Sequence, residues 1–368
     1  MLRTYKLKNY NFRLVVWVIA LSLIGYFAIG SAKESVQDRQ MYGMIVGIIL
    51  MILVSLVNYS YYAFARWVIY GVNLAFLILV MVAGVEVNGS KRWLNIGFQF
   101  QPSELAKILL ILFFAQFIMK NKSSLNSLPT IFMAFLLLAI PLALIFKEPD
   151  LSTTLMVTIT FVLMLFVGGL SYKIVFTVLG LSIPLGVAFF SIILSDDNTL
   201  LQGYQINRIL AWLDPEKYAD SEAYQQINSI TAISSGQLWG KGLNNNVIAS
   251  VKNGNFISEP QTDFIYAVIG EEMGFVGAVS VIILLILIAL ECFRIARYAK
   301  DDMGALICAG FGGLISFQGF MNIAVNIGLL PNTGIPLPFV SYGLTSLVSL
   351  YIGIGVVLNV GLQTTKTH

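Results

Sequence analysis

The feature that most constrains this chain is a rhythm. Apolar runs of close to 20 residues recur along nearly its whole length, separated by short polar joints. A helix rises about 1.5 Å per residue, so each run is long enough to cross a hydrocarbon core about 30 Å thick. Ten spans are expected, near 14–32, 41–62, 67–86, 104–119, 129–146, 152–169, 174–195, 264–291, 304–328 and 343–363. Composition closes the other route: 57% of residues are hydrophobic and 11% are charged, against about a quarter charged in an ordinary soluble domain. No water-soluble fold hides that much apolar surface. The expected architecture is an all-α polytopic membrane protein of about ten transmembrane helices, one membrane domain over 1–368.

The start, MLRTYKLKNYNFR, is polar and basic and runs into a full-length span without a small-residue cleavage site. It is therefore expected to stay as the first anchor. Cys292 and Cys308 fall near the expected cytoplasmic ends of their spans, where a disulfide is not expected. The single histidine is the last residue, His368, which excludes a Ser-His-Asp triad, a Cys-His pair or a histidine metal cage within the fold. Any catalysis must rest on carboxylates, lysines, hydroxyls or backbone.

Lysine and arginine in short loops favour the cytoplasm and so set orientation. With the amino terminus inside, Arg3, Lys6, Lys8, Arg13, Arg66, Lys120, Lys122, Lys173, Arg294, Arg297, Lys300 and Lys366 are cytoplasmic, against Lys33, Arg39, Lys91, Arg92 and Lys147 in the short outer loops. Both termini are expected on the cytoplasmic side of the cell membrane. Only Glu291, Asp301 and Asp302 among the acidic residues lie toward the cytoplasm. Chemistry is expected outside, which argues against a site for cytoplasmic nucleotide; no nucleic-acid partner is expected.

One segment departs from the rhythm. Residues 196–262 form a large extracytoplasmic loop between spans seven and eight, with GYQINRILAWLDP followed by YQQINSITAISSGQLWGKGL. Short amphipathic helices on the membrane surface are expected there, then a glycine-rich turn through Gly236, Gly240 and Gly242. The loop reads equally as a substrate cover or as a structural cap. Its GxxxGxG is not a nucleotide fingerprint, because no strand precedes it.

An ionisable group inside a span costs about 2.5–3.5 kcal/mol, so each needs a reason. Glu104 and Lys107, in QPSELAK, lie three apart on one face of span four near its outer end. They can pair with each other or with a third group. Asp150 stands at the head of span six, where it can cap the helix or join Lys107 in a carboxylate–lysine–carboxylate cluster. Asp263 heads span eight in SEPQTDFIYAVIGEEMG, again as a cap or as something more. Thr262 can cap in its place, and Glu259, Glu271 and Glu272 crowd the stretch, which raises the pKa of a buried carboxylate and suits it to act as a general base. Gly270 and Gly274 form a small-xxx-small pair that admits a close neighbour.

Two further segments read as re-entrant, NGSKRWLNIGFQFQPSE (88–104) and LPNTGIPLPFVSYGLTSL (330–347), the second broken by Pro331, Pro336 and Pro338. Irregular backbone cannot face lipid, so both are expected to line a protein-walled cavity. Lys91, Arg92 and Arg208 suit a pyrophosphate there, although ordinary interfacial anchoring explains each taken alone. Gln101 and Ser341, polar residues of the same two segments, join them as substrate-binding candidates.

Five ordered motifs carry a resemblance: RWLNIGFQFQPSELAK (92–107), KEPDLSTT (147–154), the YQ…GKGL region (224–243), PQTDFIYAVIGEEMGFVG (260–277) and TGIPLPFVSYG (333–343). Together they resemble the SEDS family (shape, elongation, division and sporulation), with the first and last forms nearer the RodA branch than the FtsW branch. The resemblance covers nearly the whole chain. It implies a peptidoglycan glycosyltransferase that polymerises lipid II outside the membrane and releases undecaprenyl pyrophosphate. It implies the family's essential aspartate at Asp263, its Glu-Lys pair at Glu104 and Lys107, and its Glu-Pro-Asp motif at Asp150. It also implies a class B penicillin-binding protein transpeptidase docking on the long loop and spans eight and nine, within the elongation machinery. The chain departs from the family pattern at Gln261 for a usual histidine, at GLTS (343–346) for Gly-Gly-Ser-Ser, and at SSGQ (234–237) for GSGG.

On this reading Asp263 takes the proton of a sugar 4-hydroxyl, which attacks the anomeric carbon of a second lipid-linked unit with inversion. Arg92, Lys107 or Arg208 would meet the pyrophosphate charge, or a divalent cation, Mg2+ or Mn2+, held by carboxylates. No cofactor is otherwise implied. Two other functions remain to be weighed. A lipid flippase or secondary transporter predicts ionisable groups near the bilayer midplane, and a scaffold that only recruits a transpeptidase leaves the ionisable residues without chemical purpose.

Overall fold

A computed structural model describes residues 9–87, 90–95, 97, 99–178, 180, 184, 203–244 and 256–364. The seventh expected span, 174–195, lies largely outside them, as do Arg3, Lys6, Lys8, Lys366 and His368. Among the described residues the helices include α1 (Phe12–Ala32), α2 (Gln37–Ser55), α3 (Ser60–Phe64), α4 (Arg66–Ala83), α5 (Pro102–Lys120), α6 (Leu128–Lys147), α7 (Leu151–Val167), α8 (Gly203–Leu213), α9 (Tyr224–Ser235), α10 (Ile265–Arg297), α11 (Asp302–Asn326) and α12 (Leu344–Leu362). Eight of these are long and apolar enough to cross a membrane, and α7 is a shorter apolar helix. Their ends follow local chemistry. Asn11 caps α1 by accepting from the Leu14 N–H, Asp301 caps α11 through Gly304, and Pro102 opens α5 where its missing N–H costs nothing.

Burial sorts the helices into centre and rim. In α5, α11 and α12 the membrane-length window is 78% buried, whereas in α4 it is 22%. Helix α11 packs on α10, α7, α5 and α12, and α12 lies along α2. The rim helices turn Val68, Val82 and Phe132 outward, all well exposed and suited to lipid. Asn9 donates to Thr364, so the two ends of the described chain lie together on one face.

Three expectations change. The expected span 41–62 ends at Ser55, and Ser60–Phe64 is a separate short helix. Segment 88–104 does not re-enter as coil. It pairs with the residues before it in a small antiparallel sheet, β1 (Val85–Val87), β2 (Ser90–Asn95) and β3 (Gln99–Phe100) in that order, with Glu86 opposite Lys91. Strand pairing satisfies backbone groups that would otherwise need a cavity wall. Segment 331–343, by contrast, is irregular as expected, and Ile335, Leu337, Phe339 and Val340 are buried in it.

The third change concerns the eighth expected span. Helix α10 has 33 residues, about 50 Å of helix and more than a bilayer needs. It is broken at Gly274, whose φ of 66° and ψ of −163° are not helical. A break frees carbonyls before it and N–H groups after it, and in a membrane protein these must find partners inside the protein. The glycine-rich stretch supplies them: Phe275 and Val276 donate to the Gln237 and Leu238 carbonyls, and Lys241 and Gly242 donate to Glu271 and Glu272. The approach is backbone against backbone, since a β-carbon at Gly240 would collide with the Glu272 carbonyl. Of the two readings of the long loop, this part of it is a structural cap. Helix α9 docks beside it, with Gln226 donating to the Val325 and Leu330 carbonyls and Ser229 to the Asn326 carbonyl, at and just past the carboxyl end of α11.

Candidate active site

The two head-of-helix aspartates, alike in sequence, are put to different uses. Asp150 caps α7: its carboxylate accepts from the Thr153 N–H at 3.0 Å and the Thr153 hydroxyl at 2.9 Å, and also from Ser103 and Gln101. Asp263 caps nothing. The N-cap of α10 is Phe264, and no side chain bonds the first turn there. Thr262 does not cap either, its hydroxyl donating back to the Glu259 carbonyl.

The backbone leading into Asp263 is held at three consecutive carbonyls. Gln261 O accepts from the Tyr342 N–H at 2.8 Å, Thr262 O from the Ser341 hydroxyl at 2.6 Å, and Asp263 O from Asn322 at 2.8 Å and Asn326 at 3.0 Å. The carboxylate therefore hangs from a fixed main chain with only its own two torsions free. Gly334 passes beside it at a φ of 70°, and a β-carbon there would stand 3.4 Å from Oδ2.

Two guanidinium groups act electrostatically on this carboxylate. Arg92, from β2, donates to the Glu148 carbonyl at 3.0 Å and to that of Pro149. Arg208, from α8, donates to the Asn332 carbonyl at 3.3 Å. Burial pushes the Asp263 carboxyl above the ordinary carboxylate range and the Asp150 charge adds to this, while Arg208 and Arg92 pull the other way. The result is a carboxylate whose proton affinity is raised by enclosure and trimmed by two fixed cations.

The other candidates fall into different roles. Lys107 donates to Glu104 at 2.9 Å and to Gln318 at 3.1 Å, and both members of the ion pair are buried. The expected cluster with Asp150 does not form, because Asp150 is taken up by its helix cap and by Gln101 and Ser103. Ser341 is a correction as well: its single donor hydrogen goes to Thr262 O and it accepts from the Leu337 N–H, so it holds backbone rather than phosphate. Gln101 is likewise turned inward to Ser103 and Asp150. Lys91 is exposed on the hairpin across from Glu86, away from the bonds that define the site.

Sequence reasoning missed two features. Gln318, Asn322 and Asn326 lie four apart along α11 and form a polar stripe on an otherwise apolar helix. Gln318 donates to Pro336 O and Asn322 to Ile335 O, so the stripe grips the irregular 331–343 segment as well as Asp263. The spacing i, i+4, i+8 was the available signal. Glu148 is the second. It is buried, neither carboxylate oxygen has a hydrogen-bond partner, and burial, with Asp150 adding and Arg92 opposing, pushes its pKa up to about 8.

A group raised in the folded state stabilises the fold below its unfolded pKa and loses that contribution as pH rises through the folded value. The window for Glu148 therefore runs from about 4.5 up to about 8. Glu148→Gln copies the protonated form. It is expected to leave thermal unfolding near pH 4, below the unfolded value, close to unchanged and to stabilise the protein at pH 9, by up to about 3 kcal/mol after relaxation is allowed for. Equal unfolding midpoints for wild type and variant at pH 9 would count against a buried, protonated Glu148.

A family model described as cell cycle protein, covering FtsW, RodA and SpoVE, matches residues 6–366. The peptidoglycan glycosyltransferase MrdB of Escherichia coli K12 is 32% identical over 349 residues, covering 93% of this chain and 91% of that protein. The stage V sporulation protein E of Bacillus subtilis is 32% identical over 383 residues, covering 97% and 98%. Among solved structures, a chain of a peptidoglycan synthase complex that coordinates polymerization and crosslinking superposes with a TM-score of 0.79 at 29% identity, covering 96% of this chain and 97% of that one. The rod shape determining protein RodA of Thermus thermophilus gives 0.71 at 27% identity, covering 97% and 98%. A match over nearly every residue and a shared fold along the full length lead to one conclusion: this chain belongs to the FtsW/RodA/SpoVE family, the SEDS proteins.

Proposed function

We propose that the chain is a peptidoglycan glycosyltransferase that joins lipid II units into glycan strands, with Asp263 as the general base. The observation that carries this is the unused carboxylate: Asp263 is built into a fixed backbone, withheld from helix capping, and acted on by the charges of Arg208 and Arg92. A base must be able to gain a proton in its working range, and enclosure raises Asp263 toward that range. The proton of a sugar 4-hydroxyl passes to Asp263, the oxygen forms a bond to the anomeric carbon of the second unit, and the bond to undecaprenyl pyrophosphate breaks. One displacement inverts the centre and needs no covalent enzyme intermediate. The two arginines are the groups suited to the charge that develops on the leaving pyrophosphate.

Among the described residues no three histidine, cysteine or acidic side chains gather to hold a metal ion. A Mg2+ or Mn2+ ion would draw most of its ligands from pyrophosphate and water, as Mg2+ commonly does at phosphate sites, and the proton transfer does not run through it. The names of the relatives support the activity, and the synthase complex supports a class B penicillin-binding protein as partner. The distribution of lysine and arginine supports a site on the outer face of the cytoplasmic membrane, and the RodA-like motifs support a role in elongation. Proteoliposomes containing the purified chain and labelled lipid II test the reading. Glycan polymer is the expected product; translocated but unpolymerised lipid would point to transport, and neither outcome would point to a scaffold.

A further inference from the structure

The carboxamide stripe of α11 does more than close the protein around segment 331–343. Asn322 and Asn326 both donate through Nδ2 to one oxygen, the Asp263 carbonyl, at 2.8 and 3.0 Å. Each is itself immobilised. Asn322 is 1% exposed and shares its donor group with Ile335 O at 2.7 Å. Asn326 is fully buried, donates to Asn322 O at 2.9 Å, and accepts from the Ser229 hydroxyl at its own carbonyl at 2.8 Å. A carbonyl that only needed a partner would be satisfied by one donor. Two donors from successive turns of a central helix fix its direction, and with it the plane of the following peptide. Because Asp263 lies outside α10, no helical ladder does this job. Its neighbours Gln261 and Thr262 are held from the 331–343 segment, and only Asp263 is held from α11.

We infer that Asn322 and Asn326 are positioning residues for the transfer, setting where the Asp263 carboxylate stands relative to Arg208 and Arg92 and thereby the rate of proton removal, not the affinity for either lipid-linked sugar. This rests on Asp263 as the base. The charged groups felt by Asp263 come from three elements: Arg208 on α8, Arg92 on β2 and Asp150 at the head of α7. A carboxylate that swings away from the two arginines keeps its burial and loses part of the opposing influence. Its proton affinity then rises, and the acid limb of the rate profile moves to higher pH.

The experiment measures kcat and KM for lipid II polymerisation against pH with the full chain carrying Asn322→Leu, Asn326→Leu, or both. Losing one of two hydrogen bonds to a shared acceptor is expected to lower kcat about 3–10-fold in each single variant, with KM within about twofold of wild type. The double variant is expected to fall about 100-fold or more, beyond the product of the singles, because only then is the carbonyl released. Its acid limb should move up by at least about half a pH unit. Tyr70→Phe breaks the bond from its hydroxyl to the Leu137 carbonyl, which has no link to Asp263 or to either asparagine, and should lower the unfolding midpoint without moving that limb. Wild-type kcat and limb in the double variant, or a change confined to KM, overturns the inference. Where the double variant does not fold, the singles decide: a fall in kcat of about 3–10-fold at unchanged KM in either supports positioning, and wild-type kcat in both overturns it. Asp263→Asn measured alongside separates the two levels, since full rate there removes the base itself, while an inactive Asp263→Asn with undisturbed asparagine variants removes only the positioning role.

Discussion

Asp263→Asn is expected to abolish polymerisation to within the detection of a lipid II assay, a loss of about 10²–10⁴-fold in kcat, the range general-base catalysis contributes, while the protein folds as before. The second half of that expectation comes from the structure. Had Asp263 capped α10, removing its charge would weaken the helix, and a fall in activity would be ambiguous. The first turn of α10 takes nothing from it, and its main-chain carbonyl, which asparagine keeps, carries the bonds that fix the site. Burial raises the Asp263 pKa, so the fold favours the protonated acid, and the neutral amide should unfold no earlier than wild type at pH 7. In wild type the rate should climb with pH as the carboxyl ionises and then level off. Arg208→Gln removes the larger of the two cationic influences and should shift that climb to higher pH. An Asp263→Asn protein that polymerises at the wild-type rate would remove Asp263 from the role of base.

What could be read beforehand divides along a physical line. Anything set by length or by local spacing was legible: the spans follow from runs of about 20 apolar residues, and the Glu104–Lys107 pair from an i,i+3 spacing on one helix face. Anything set by what a group meets across the fold was not. Asp150 and Asp263 share a position at the head of a helix, and only three-dimensional packing shows that one is consumed as a cap while the other is withheld. Glu148 stands next to a proline at a helix junction, an ordinary exposed site in sequence, and its burial comes from neighbours far along the chain. The glycine-rich stretch read equally as lid or cap because the deciding partner, a helix broken at Gly274, is itself visible only in the fold. Asn322 and Asn326 were the one avoidable omission, since polar residues four apart on an apolar helix needed an explanation as much as the charges did.

The largest effect on folding should come from half of the buried ion pair. Lys107→Met leaves the Glu104 carboxylate buried without its cation, which typically costs about 3–5 kcal/mol, and the variant should show a sharply lower unfolding temperature and folded yield in detergent. Joining Glu104→Gln to Lys107→Met removes both charges, and most of the loss should return. The pair is not fully compensated even in wild type, because Glu104 Oε2 has no hydrogen-bond partner, so the neutral pair forfeits little. Polymerisation should return with the fold. The side chains of Lys107 and Glu104 are only 3% and 5% exposed, too enclosed to meet a pyrophosphate directly, so Lys107 is set apart from Arg92 and Arg208 in this respect. The route from the pair to the site is mechanical: Lys107 holds Gln318, and Gln318 holds the Pro336 carbonyl of the segment that clamps Asp263. In the double variant Gln318 keeps that second bond, so the segment stays in place. A doubly substituted protein with wild-type unfolding and no polymer would mean that the buried charge, not the packing, serves the reaction.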